Sequence, residues 1–181
     1  MKAMIISDIH GSLTCLEDVL KYYDEFGCEK LLILGDELYH GPRNSIPEGY
    51  DCKGVAARLN GMKDVIVACR GNCEAEVDQM MLEYPCMADY ELVEINGRRI
   101  MLSHGHLFDE MRLPRLPFEI YLSGHTHVPV LKKENNIVFC NPGSITFPKE
   151  DTPKCFGIID ESSITVYKVE DKSVYLQMEL E

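Results

Sequence analysis

No Cys-x-x-Cys pair occurs among the eight cysteines of this 181-residue chain, which removes the usual spacing of zinc ribbons and dithiol redox sites. Cys28, Cys69, Cys140 and Cys155 lie in or beside apolar stretches instead, where a reduced thiol serves as a small core residue. No apolar run reaches membrane-spanning length. The chain opens Met1-Lys2-Ala3-Met4 straight into a strand-like run, without signal-peptide architecture, so a soluble, cytoplasmic protein with no membrane partner is expected. Positive charge is also scarce: 18 basic against 30 acidic residues leave a net charge of -12. Such a surface repels polyanions, and a nucleic-acid polymer is a poor partner for it. Internal repeats, low-complexity segments and linkers are missing too. With 45% apolar residues, the chain is sized for a single domain over residues 1–181.

What is present begins with alternation of strand and helix. Lys2 to Ser7 reads as a buried strand; Ser12 is placed to cap a helix carrying Leu13, Leu16, Val19, Leu20 and Tyr23, with Gly27 at its end. Leu31 to Leu34 is the next strand, a loop fills Glu37 to Tyr50, and Asp51 caps a short helix with Val55, Ala56 and Leu59. Val65 to Cys69 makes a third strand, and a helix through Met80 to Glu83 is expected after it. The βαβ rhythm implies parallel strands in a sheet covered on its faces. After Pro85 the pattern turns to hairpins. Tyr90 to Ile95 and Arg98 to Ser103 flank Asn96-Gly97, the strongest two-residue hairpin signal. Ile120 to Leu122 is a further strand, Val128 to Leu131 and Ile137 to Cys140 pair across Lys132 to Asn136, and strands near 156–159, 164–168 and 174–178 close the domain.

Five apolar runs end in residues able to bind a metal: Asp8 and His10, Asp36, Asn72, His104, and His125 with His127. If the first strand persists, Asp8 and His10 are two apart and share a face. In open α/β sheets, ligand sites lie beyond the carboxyl ends of strands, so these termini become neighbours. Only six histidines exist, and four occupy such positions. Oxygen and nitrogen donors without thiolate suit manganese, nickel, iron or zinc. Seven donors exceed one tetrahedral ion and serve two ions sharing a carboxylate, an arrangement that clamps both oxygens of an in-line displacement at phosphorus.

Asp8-x-His10, Gly35-Asp36, Gly71-Asn72, His104 and Gly124-His125-x-His127, in this order, resemble the signature of the calcineurin-like metallophosphoesterase family. Gly41-Pro42-Arg43-Asn44, Gly71-Asn72-Cys73-Glu74 and Asn141-Pro142-Gly143-Ser144 resemble a compact bacterial phosphodiesterase branch of it. The resemblance implies an α/β fold, a four-layer α/β/β/α sandwich of two mixed sheets flanked by helices, and hydrolysis of phosphoesters. It implies that Asp8, His10 and His127 hold one divalent ion and Asn72, His104 and His125 the other, with Asp36 bridging and manganese the first choice of metal. The activity expected is cleavage of small phosphodiesters by attack of a metal-held hydroxide on phosphorus. A phosphomonoesterase, a protein phosphatase or a non-catalytic scaffold resembling a retromer subunit are the alternatives. A symmetric homo-oligomer is plausible for such a domain.

One position departs from the wider family, where histidine usually follows Gly-Asn and assists the leaving group. Here it is Cys73, whose thiol, with an ordinary pKa near about 8.5, is a poor imidazole substitute. Catalytic assistance is therefore assigned to Asn72, Cys73 or His40, and phosphoryl binding to Arg43 and Asn72, Arg being suited to bidentate contact. His106 and Asn141 are read as supports of the ligands.

Overall fold

The structure, a computed structural model, describes residues 1–180. Two mixed β-sheets lie face to face, with strand orders β11-β10-β9-β1-β2-β3 and β4-β5-β6-β8-β7. In the first, β1 (Ala3–Ile6), β2 (Lys30–Ile33) and β3 (Ile66–Ala68) are parallel, while β9 (Cys155–Ile159), β10 (Ser163–Lys168) and β11 (Val174–Glu179) complete it antiparallel. In the second, β5 (Arg98–Ser103), β6 (Ile120–Leu122) and β8 (Ile137–Asn141) are parallel, edged by β4 (Tyr90–Ile95) and β7 (Val130–Glu134).

The two-residue period of a strand sorts side chains between two cores. Ala3 and Ile5 of β1 and Leu32 of β2 meet Ile100, Leu102, Ile120 and Leu122 of the facing sheet. Met4, Ile6, Leu31 and Ile33 point the other way, onto α1 (Leu13–Glu25) and α2 (Cys52–Asn60) through Leu16, Val19, Val55 and Leu59. Both helices start as their caps dictate: Ser12 Oγ accepts from Cys15 N at 3.2 Å and Asp51 Oδ1 from Gly54 N at 2.9 Å. The outer layer over the second sheet is built from the Pro-rich segment 104–119, which drapes Phe108, Leu113 and Phe118 over Met101, Tyr121 and Phe139. The flanking helices thus belong to the first sheet, and irregular chain serves the other.

Many strand ends shift by a residue from expectation, and two elements shift further. The third helix, α3, runs Glu76–Met81, earlier than Met80 to Glu83, because the Asp78 carboxylate reaches back to the Ala75 N–H at 2.7 Å and caps its start. β7 continues to Glu134, so its turn shrinks to Asn135-Asn136, both with positive φ, the geometry of a tight hairpin. Asn96-Gly97 turns as predicted, with φ of 52° and 77°. No helix among the described residues is long and apolar enough to cross a membrane.

Candidate metal centre

The carboxyl ends of β1, β2, β3, β5 and β6 converge at one edge of the sandwich. Parallel backbone bonds zip the first two loops together beyond their strands: Asp8 N donates to Gly35 O at 3.1 Å, His10 N to Asp36 O at 2.8 Å and Gly11 N to Glu37 O at 2.8 Å. Asp8 and His10 do not meet through strand alternation, because β1 ends at Ile6. They meet because the chain turns at each of them. Asp8, His10, Asp36, His125 and His127 all have φ between 49° and 66°, the left-handed region that disfavours side chains with a Cβ. Five strained positions in one site, each a residue with a donor atom, mark a geometry that the surrounding fold imposes.

Asp8 Oδ1 sits at the centre. Its partner oxygen accepts from Ser7 Oγ at 2.6 Å and from His125 N at 3.1 Å, whereas Oδ1 is buried with no hydrogen-bond donor. Around it stand three imidazole nitrogens, the Nε2 atoms of His127 at 3.1 Å, His10 at 3.6 Å and His104 at 3.9 Å. Asp36 Oδ2 faces His104 Nε2 at 3.5 Å and His10 Nε2 at 3.7 Å, and so lies between two histidines on opposite sides of the site. Its other oxygen accepts from Cys73 N at 2.9 Å. Asn72 Oδ1 approaches His104 Nε2 at 3.1 Å. His125 is half-buried, its ring 5.1 Å from that of His104.

The histidines are held by their other nitrogen. Nδ1 of His10, His104 and His127 each lies beside a backbone carbonyl, of Tyr39 at 3.0 Å, Leu34 at 2.6 Å and Phe147 at 2.6 Å. A proton on Nδ1 leaves the Nε2 lone pair bare and directed inward, as metal-ligating imidazoles require. His10 Nε2 and His127 Nε2 are then 3.4 Å apart. Two bare lone pairs beside an orphaned buried carboxylate oxygen fit a cation, which all of them can share. Without one, burial would raise the Asp8 carboxyl, but the neighbouring imidazoles of His10, His104 and His127 outweigh it and hold the group well below the carboxylate range. Burial likewise opposes charge on His104, yet Asp36 and Asp8 push its pKa up to about 9. Asp8 with His10 and His127, His10 with Asp36 and Cys73, and Asp8 with Asp36 and His104 form three overlapping clusters able to hold an ion.

Two carboxylates stand behind the site, one of them in the Gly71-Asn72-Cys73-Glu74 motif but assigned no role by it. Glu74 Oε2 accepts from Asp36 N and Gly71 N, and Oε1 from Glu37 N. It thereby ties the loop of Asp36 to the turn of Asn72. Gly71 must be glycine here, since a Cβ would collide with the Asp36 carboxylate and backbone. Glu37 is fully buried, receives the Tyr84 hydroxyl, and has an oxygen without a donor. Ser144 fixes the site from below, donating to Asp8 O at 2.9 Å. Asn141 spends its amide on Gly124 O and Thr126, a structural role in the second loop.

Above the donors opens a cleft of about 460 Å³, walled in part by Arg43, Asn44, Asn72, Cys73, His125 and Lys149. Arg43 is brought to the cleft as its position suggested, and Lys149, which the sequence pattern did not single out, joins it. His40 is not brought there. Its ring packs against Tyr39 at 4.7 Å and Tyr50 at 5.4 Å, and its carbonyl accepts from Asn44 Nδ2, so it supports the loop that carries Arg43. The His106 ring stands edge-on to His104 and tilted to His125, where burial and their charge lower its pKa to about 4. Burial and Asp36 push the Cys73 thiol up, so it stays protonated and uncharged.

Residues 1–163 match the family described as the calcineurin-like phosphoesterase superfamily domain. Over 179 residues the chain is 44% identical to phosphodiesterase YfcE of Escherichia coli K12, covering 98% of this chain and 97% of that one. A solved structure of the Escherichia coli protein, described as a phosphoesterase, superposes over 100% of both chains with a TM-score of 0.96 at 42% identity. Vacuolar protein sorting 29 from Cryptosporidium parvum shares the fold alone, with a TM-score of 0.70 at 18% identity over 99% of this chain and 97% of that one.

Proposed function

Since the chain belongs to the calcineurin-like phosphoesterase superfamily, we propose that this hydrolase of phosphoric esters is a dinuclear, divalent-metal-dependent phosphodiesterase acting on small diesters. The observation that carries the reading is Asp8 Oδ1, a buried carboxylate oxygen with no donor, ringed by three inward-facing imidazole nitrogens. Asp8, His10 and His127 would hold one ion, and Asn72, His104 and His125 the other. Asp36, whose Oδ2 faces a histidine of each group, would bridge them. Bound divalent ions supply Lewis acidity at the phosphoryl oxygens and bring the pKa of a coordinated water down toward about 7. Manganese is the metal we put first, with nickel, iron or zinc accepted by the same donors.

The chain's own residues do the rest. Arg43 and Lys149 set cations at the walls of the cleft, where they offset the negative charge of an entering phosphoryl group. The exposed Asn72 amide stands where it can orient that group. Hydrolysis adds water across the P–O bond, the hydroxyl to phosphorus and the second proton to the departing oxygen. Cys73 occupies the place of the family's histidine, and an uncharged thiol with a high pKa is a weak acid for that second proton. Diesters whose leaving oxygen departs without protonation, such as aryl esters, are therefore favoured over alkyl monoesters. A net charge of -12 argues in the same direction, against nucleic-acid polymers.

The test is a panel of metals against a chromogenic aryl diester, its monoester and cyclic nucleotides. Manganese-supported cleavage of the diester ahead of the monoester is expected, and Asp36→Ala should lose metal and turnover together. Full turnover by that variant would sink the assignment of Asp36.

A further inference from the structure

Next to the cleft lies a second cavity of about 440 Å³ and different character. Leu38, Tyr39, Tyr50, Cys73, Val77 and Met81 supply most of its walls. Of the charged groups at its edge, Asp78 is engaged with the Ala75 N–H, which leaves Lys53 at the rim. Sites for small organic groups are concave and mostly apolar, with volumes of roughly 300–1,000 Å³. The cavity meets this description, and its placement says what enters it.

Cys73 is the wall common to both cavities. Its N–H holds Asp36 Oδ1, and its Sγ lies 3.3 Å from Asn72 Nδ2, which fixes the thiol at the junction. Gly41 also lies beside the thiol: a Cβ there would stand 3.4 Å from Cys73 Sγ and 3.1 Å from Asn44 Nδ2, so the backbone runs close past the junction. On the far side, α3 is only six residues long and leaves Val77 and Met81 exposed at the mouth.

We propose that this pocket is a subsite for a flat apolar or aromatic substituent of the phosphodiester, reached from the phosphoryl cleft past Cys73. The inference rests on the phosphodiesterase reading and adds the chemistry of one arm of the substrate. A phosphoryl group beside Asn72 has its ester arm directed toward Cys73 and thence between Tyr39, Tyr50 and Met81. Two aromatic faces and a thioether suit a ring.

The experiment uses the full chain loaded with manganese and a series of methyl aryl phosphodiesters whose phenols carry meta-alkyl groups of increasing length at nearly constant acidity. If the arm enters the pocket, kcat/KM rises about fourfold for each methylene buried. Val77→Asp and Met81→Asp, both at exposed positions that a folded chain tolerates, flatten that rise and leave the melting temperature and manganese binding of the parent in place. In parallel, binding of the free alkylphenols to metal-free protein is followed by NMR, which needs no catalysis. Turnover without a size gradient, or a gradient untouched by both variants, overturns the subsite and leaves the phosphodiesterase reading standing. Alkylphenol binding that both variants abolish, in a protein that cleaves no diester, upholds the pocket and overturns the activity. If Met81→Asp converts an oligomer to a monomer and the parent binds no alkylphenol, a second copy covers the pocket and the inference fails.

Discussion

Glu74 Oε2 accepts the backbone N–H of Asp36 at 2.9 Å, so a carboxylate from the turn after β3 holds the bridging candidate that follows β2. The same oxygen takes the Gly71 N–H, and its mate takes that of Glu37. Groups that orient metal ligands typically cost 10–100-fold in affinity when removed. Glu74→Ala is accordingly expected to weaken manganese binding by about that factor, with activity partly recovered at raised metal concentration. Calorimetric titration checks it; unchanged affinity in a folded variant would count against the positioning role.

Removal of metal should lower stability as well as activity. Asp8 and Asp36 are both buried in one small site, and a ligand that binds only the native state contributes about 2.7 kcal/mol at one hundred times its dissociation constant. Treatment with a chelator is expected to lower the melting temperature, and restored manganese to return it. A chelated protein that melts at the temperature of the loaded one would show that the donors hold nothing.

Cys73→Ala should retain aryl diester cleavage within about threefold, because a protonated thiol donates little to a leaving aryl oxide. The readout is kcat for the diester. A hundredfold loss with intact metal content would assign the thiol a catalytic part.

Glu37 predicts a pH dependence of the metal-free protein. Burial and the neighbouring Glu74 push its pKa from 4.5 up to about 8. Between those values the native state keeps a proton that the unfolded chain has released, so stability falls as pH rises from about 5 to about 8. Glu37→Gln, which stays neutral, should flatten that slope. Urea unfolding across this range, with chelator present, measures it; an unaltered slope would place the titration elsewhere.

Much of this protein was legible in its sequence. Strand and helix order follow from periodicity and caps, since Ser12, Asp51 and Asn96-Gly97 act through hydrogen bonds and dihedral preferences local to a few residues. The meeting of the candidate donors at one edge was legible as well, because Asp8, His10, Asp36, Asn72, His104, His125 and His127 each end an apolar run, and parallel strands bring their carboxyl ends together. Of these, Asp8, His10, Asp36, His104 and His127 fall in groups close enough to share an ion. Tertiary structure alone decided the rest. Whether Asp8 and His10 converge depended on left-handed turns that the opposing loops impose, and the inward aim of Nε2 depended on carbonyls of Tyr39, Leu34 and Phe147, up to 70 residues distant. Glu37 looks like an ordinary loop carboxylate in the sequence, and Glu74 enters there only as the last residue of the Gly71-Asn72-Cys73-Glu74 motif. Only packing against Asp36 and Tyr84 buries them. His40 and Arg43 sit three apart in one loop, yet the fold turns Arg43 to the cleft and His40 between two tyrosines. Local propensity reads what neighbouring residues do to each other, and which distant group a side chain will face is set by the closure of the two sheets.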